Sequence, residues 1–146
     1  MFKSLALFAI TALVLSAPYH SFANTEISKQ YKEKLDTIKN SESVCMDKAD
    51  TTVDMHDCLS KSHSELDALL NESYRTLRSA VKEDKVYFDA LKTEQLAWIK
   101  LNKAIIDNVF KTGGGGSLDS INAGGISNHI FINRIELFIS LLLAHE

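Results

Sequence analysis

The sequence predicts an all-α fold, a small bundle of about four helices built around a helical hairpin, with one long Gly-rich loop and one disulfide. Two observations carry the prediction. The only proline is Pro18, and all six glycines lie between Gly113 and Gly125. A chain whose helix breakers are confined in this way reads as helices joined by a single long loop. Elsewhere apolar residues recur at spacings of three and four, the period of a helix with one buried face.

Residues 1–23 come first and read as a cleavable signal peptide. Lys3 supplies the positive start, Leu5 to Leu15 an apolar run, and Ser21-Phe22-Ala23 the small-x-small pattern that signal peptidase reads. The apolar run is too short for a membrane span. No cysteine stands at the cleavage region, which argues against a lipid anchor. Cleavage before Asn24 leaves 123 residues, expected to be periplasmic or secreted, with no membrane span.

The first helix is expected over 24–39, with Ile27, Tyr31, Leu35 and Ile38 on one stripe and a charged opposite face, so that it packs peripherally. Residues 40–43 read as a polar break. Thr51 or Thr52 caps a second helix whose apolar face runs Met55, Leu59, Ser62, Leu66, Leu69, Leu70, Tyr74, Leu77 and Val81. A third spans about 84–110 with Tyr87, Phe88, Leu91, Trp98, Ile105 and Val109 inward. Residues 111–128 carry the GGGGS run and are expected to form the loop. The fourth helix, about 129–144, is apolar nearly all round and demands burial on several sides; its apolar stretch is too short to cross a bilayer. The organisation predicted is a signal peptide (1–23), an accessory helix (24–44) and a helical domain (45–146).

Charge and cysteines narrow the function. Removing residues 1–23 takes away one lysine and no acid, leaving 15 basic and 19 acidic residues. That excludes the basic face of a nucleic-acid binder and suits a cationic partner. Cys45 and Cys58, the only cysteines, read as a disulfide in an exported chain.

No catalytic pattern is found. His56 and His63 are seven residues apart, about 10.5 Å on an ideal helix and too far to share a metal. No Ser, Cys or Lys sits in a nucleophile motif, and GGGGS lacks the Lys and Ser/Thr of a phosphate loop. The chain is therefore read as non-enzymatic, without metal or cofactor. Asp54 and Asp57 beside His56 suit a helix N-terminus. With Lys48 they form the candidate binding set on the stapled segment, and the 111–128 loop is a second candidate.

The cysteine pair is followed by Leu66-Asp67-x-x-Leu70-Asn71-x-x-Tyr74, then Gln95-x-Ala97-Trp98-Ile99, a GGGS loop and a last helix with Arg134. This order resembles the LprI-like domain family of small bacterial envelope proteins, named for a lysozyme-inhibiting lipoprotein. The resemblance covers about 45–142 and implies a protein partner, a lysozyme or another muramidase. The residue spacing places Leu66, Leu70 and Tyr74 on a core face, with Asp67 and Asn71 beside them to tie that helix to its neighbour. Trp98 reads as the largest core filler, its indole supported by Gln95. Two departures stand out. Ile106 and Ile126 occupy positions where relatives carry a second cysteine pair, so an apolar contact is expected there and a more mobile 113–125 loop. Asn102-Lys103 stands where the family has Arg-Asp, which removes a salt bridge expected for Arg134. The functional expectation is an exported envelope binding protein that inhibits lysozyme-type muramidases. The alternatives are a structural or assembly module of the envelope and an immunity protein against a cell-wall-degrading toxin.

Overall fold

The computed structural model describes residues 19–145. The predicted signal peptide lies outside this range except for its last five residues, which enter the start of the first helix. Four helices follow in order: α1 (Tyr19–Met46), α2 (Thr52–Ala80), α3 (Lys85–Gly113) and α4 (Ser117–Ala144). The links are short, so successive helices run antiparallel. One end of the bundle thus carries the α1–α2 and α3–α4 links, and the other the α2–α3 link.

Caps set the helix starts. Thr51 accepts the Asp54 N–H at 3.1 Å while the Asp54 carboxylate accepts the Thr51 N–H at 3.0 Å, a reciprocal box that begins α2 where the sequence places it. The Asp84 carboxylate accepts the Tyr87 N–H at 3.0 Å and begins α3.

Two boundaries differ from expectation. α1 does not break at 40–43 but continues to Met46, because Glu42 is held by partners on α2 and α4. The long loop contracts to Gly114–Gly116, and α4 begins twelve residues early with Gly124 and Gly125 inside it. Glycine in a helix costs about 1 kcal/mol relative to alanine. At Gly124 close packing offsets that cost, since a Cβ there would meet the Leu59 side chain at 3.3 Å. At its full 28 residues α4 is also long and apolar enough to cross a membrane by length and composition, contrary to the shorter helix expected.

Here α4 is the central helix. It packs most extensively on α2, then on α1 and α3, while α3 rests chiefly on α4. The core stripe Phe131, Ile135, Phe138, Leu142 meets Leu66, Leu70 and Leu77 of α2 and Tyr31 and Leu35 of α1. Burying each such side chain contributes about 1.5–3 kcal/mol. α1 is thus a core helix, tied further by the Tyr31 hydroxyl to Thr76 Oγ1 at 2.6 Å and by Lys34 to Glu72 at 3.0 Å. Asn24, the first residue after the predicted cleavage site, donates to the His145 carbonyl at 3.2 Å.

At the start of α3, Tyr87 stacks on His145 with centroids 4.7 Å apart. Burial, and then the charge of Glu94, raise its pKa above the ordinary 10.0. A raised phenol favours the neutral form on folding, so its contribution is complete below pH 10 and is lost as pH rises through the folded value. Spectrophotometric titration is expected to show one tyrosine ionising late, absent in Tyr87→Phe.

Candidate functional site

The family-motif residues divide cleanly between packing and surface. Leu66 and Leu70 are buried and Tyr74 packs against the core, stacking on Phe138 at 5.6 Å. Asp67 and Asn71 do not tie α2 to a neighbour. They are exposed and pair with each other along the helix, Asn71 Nδ2 donating to Asp67 Oδ2 at 3.1 Å. Trp98 is half-buried rather than the largest core filler, a place taken by the fully buried Phe138.

Gln95 serves Arg134 instead of Trp98. Arg134 is 5% exposed; its Nε donates to Gln95 Oε1 at 2.9 Å and its Nη1 to Glu94 Oε1 at 2.6 Å. Its guanidinium sits 5.7 Å from the Trp98 ring centre and 4.6 Å from that of Phe138. A flat, weakly hydrated cation suits such a slot. Arg134 therefore has an acidic partner on α3 one turn from Trp98, despite Asn102-Lys103. Lys103 itself pairs within α3 with Asp107 at 2.7 Å, which holds that carboxyl below its ordinary 3.8. This seam, together with the edge-on contact of Trp98 and Phe131 at 5.3 Å, fastens α3 to α4. Ile106 and Ile126 take different places: Ile106 lines a cavity described below, and Ile126 is 38% exposed outside that lining.

At the end of the bundle bearing the α1–α2 and α3–α4 links, two segments meet. The Cys45–Cys58 disulfide, with Cα atoms 5.7 Å apart, clamps the last turn of α1 to α2 and closes the α1–α2 link between them. Lys48 is exposed on that link, and His56 and Asp57 are exposed on the first turns of α2. Asp54 is occupied in the α2 cap. Across from them, Gly114 and Gly115 take φ of 96° and 82°, which side chains rarely adopt, and so reverse the chain in three residues. Asp119 then accepts the Gly116 N–H at 3.1 Å and caps α4.

Near this end, between α2, α3 and α4, lies a cavity of about 300 Å³. α2 contributes His56, Leu59, Ser60 and His63, α3 contributes Ile106 and Phe110, and α4 contributes Ser120, Ala123, Gly124 and Ser127. A smaller hollow beside it shares His56 and Ser120 and adds Val53. Val53, Phe110 and Leu118 are exposed around this end at 66%, 42% and 65%.

Beneath the cavity is a polar cluster that sequence reasoning does not assemble. Asn128 is 1% exposed, and its Nδ2 donates to Glu42 Oε2 at 2.7 Å, Ser62 Oγ at 2.7 Å and the Leu59 carbonyl at 3.1 Å. Ser62 also donates to Glu42. Asn128 Oδ1 faces His63 Nδ1 at 2.9 Å, and the His63 ring packs on Phe131 at 4.7 Å. One signal was legible. Asn128 falls in line with Phe131, Ile135, Phe138 and Leu142, and a polar residue on a buried stripe needs partners. Among the described residues no three His, Cys, Asp or Glu side chains gather as a metal site.

The fold and its clamped end define a class, the disulfide-stapled all-α bundle with its core wrapped around a C-terminal helix. The family model described as lysozyme inhibitor LprI matches residues 45–135, and the chain belongs to that family. No curated protein and no solved structure matches it.

Proposed function

We propose that the chain is an exported, non-enzymatic inhibitor of a lysozyme-type muramidase, and that the clamped end of the bundle is its contact surface. One observation carries the second part: the start of α2, through His56, and the start of α4, through Ser120, are far apart in sequence yet line the same cavity and the hollow beside it. Muramidases of this type cut glycans with two carboxyl groups in a cleft. Lys48 and His56 project donors from this end, and short links, two capped helices and a disulfide preorganise it, which limits the ordering cost of binding.

Lys48→Ala and His56→Ala are each expected to weaken inhibition about tenfold, the loss of a charge-assisted hydrogen bond, with helical content unchanged. A lysozyme panel with purified protein tests the reading; full muramidase activity at saturating protein refutes it. Export is tested separately by the mass of the secreted product, expected to begin at Asn24. The envelope-module alternative relies on α4 as a partner surface. Phe138 and Leu142 are fully buried within the bundle, which speaks against it.

A further inference from the structure

We infer that the cavity between α2, α3 and α4 receives one aromatic ring bearing a hydrogen-bond donor, a tyrosine or tryptophan side chain of the protein bound at this end. The inference rests on the contact surface proposed above and adds the anchor that surface uses.

Hydrogen-bond arithmetic fixes the chemistry. The Asn128 Nδ2 faces only acceptors: the Glu42 carboxylate, the Ser62 hydroxyl and the Leu59 carbonyl. Turning the amide over would set its oxygen against the Glu42 carboxylate, so the orientation is determined. Its Oδ1 therefore accepts from His63, and His63 Nδ1 must carry the proton. In the neutral ring the remaining nitrogen, Nε2, is then an acceptor. The Asn128 bond and the Phe131 ring hold that imidazole in place, so the acceptor is preorganised.

The rest of the lining is mixed: Leu59, Ile106, Phe110 and Ala123 are apolar, while His56, Ser60, Ser120 and Ser127 add small polar groups around His63. At about 300 Å³ it has room for a single ring and lies at the small end of ligand pockets. An aliphatic anchor would leave Nε2 dry and unpaired. A carboxylate would meet the Nε2 lone pair, and an ammonium would find no carboxylate in the lining to pair with. A phenol or an indole satisfies both the walls and the acceptor. Phe110 at the cavity and Val53 in the adjoining hollow are partly exposed apolar groups that would help exclude water from such an anchor.

The test titrates the purified protein with p-cresol, 3-methylindole and toluene, followed by 1H–15N NMR of the His63 ring and the Gly124 amide. Both donor-bearing rings are expected to shift these signals and to bind about three- to tenfold more tightly than toluene. His63→Phe, which keeps a ring against Phe131, should abolish that preference. Ser127→Leu, which fills the α4 side of the cavity and spares the polar cluster, should abolish binding of all three. Equal binding of toluene, or no shift with any ring, overturns the inference. In the muramidase assay p-cresol should relieve inhibition in proportion to occupancy. Preference without relief overturns the partner's ring as occupant and leaves a free aromatic ligand. Absence of inhibition before any ring is added refutes the contact surface itself, an outcome the titration does not depend on.

Discussion

Replacing Asn128 with alanine is expected to destabilise the protein by about 3 kcal/mol, since it leaves several buried polar groups unpaired at once. The amide is the hub through which α1, α2 and α4 share hydrogen bonds. Its removal takes a donor from the Glu42 carboxylate, from Ser62 and from the Leu59 carbonyl, and an acceptor from His63. Ser62→Ala, by contrast, removes one member and is expected to cost about 1 kcal/mol. Asn128→Asp is the sharper variant. It places a carboxyl at a 1% exposed position beside Glu42, where burial and like charge both raise the pKa of the new group. A raised carboxyl is tolerated below its unfolded value of about 4 and becomes destabilising as pH rises through the folded value. Urea denaturation is expected to show N128D least impaired near pH 4 and progressively worse toward neutrality. A flat pH profile, or a loss below 1 kcal/mol for Asn128→Ala, would show that the cluster is hydrated rather than structural.

Loss of the Cys45–Cys58 bridge is expected to cost a similar amount. The cysteines are 13 residues apart, and closing a loop of that size stabilises by about 3 kcal/mol through restriction of the unfolded chain. For a domain of this length that corresponds to a fall in Tm of roughly 10–15 °C. The double variant Cys45→Ser/Cys58→Ser, followed by calorimetry beside the oxidised protein, measures it. The bridge also fixes the position of Lys48 relative to His56. Inhibition should therefore weaken in the double variant even at temperatures where it remains folded. An unchanged inhibition constant would remove the stapled segment from the contact surface.

The parts of this fold that were legible in the sequence are those set by local chemistry. Thr51 with Asp54 three residues on, and Asp84 before an apolar run, announce helix starts because a cap acts within one turn. The α2 core face is readable because its period is regular, down to the placement of Ser62 on the buried side. The misread parts depend on distant residues. Gly124 and Gly125 signal a break in isolation, and only the proximity of Leu59 explains why α4 runs through them. The polar residues 40–43 look like a gap until Glu42 finds Asn128, 86 positions away. The binding candidates Lys48 and His56 were visible as residue types, but the cavity beside His56 is built from three helices and has no linear signature.

The order of the helices has a consequence for how the molecule assembles. Because α4 lies at the centre yet follows the other three, α1, α2 and α3 have no completed core until its 28 residues arrive. A chain emerging N-terminus first can close the Cys45–Cys58 loop early, since that link is local. It must then hold the apolar faces of α1 and α2 open until α4 packs onto both. The waiting half-bundle is the species that a chaperone would recognise, and the slowest step is set by the length of chain still to come.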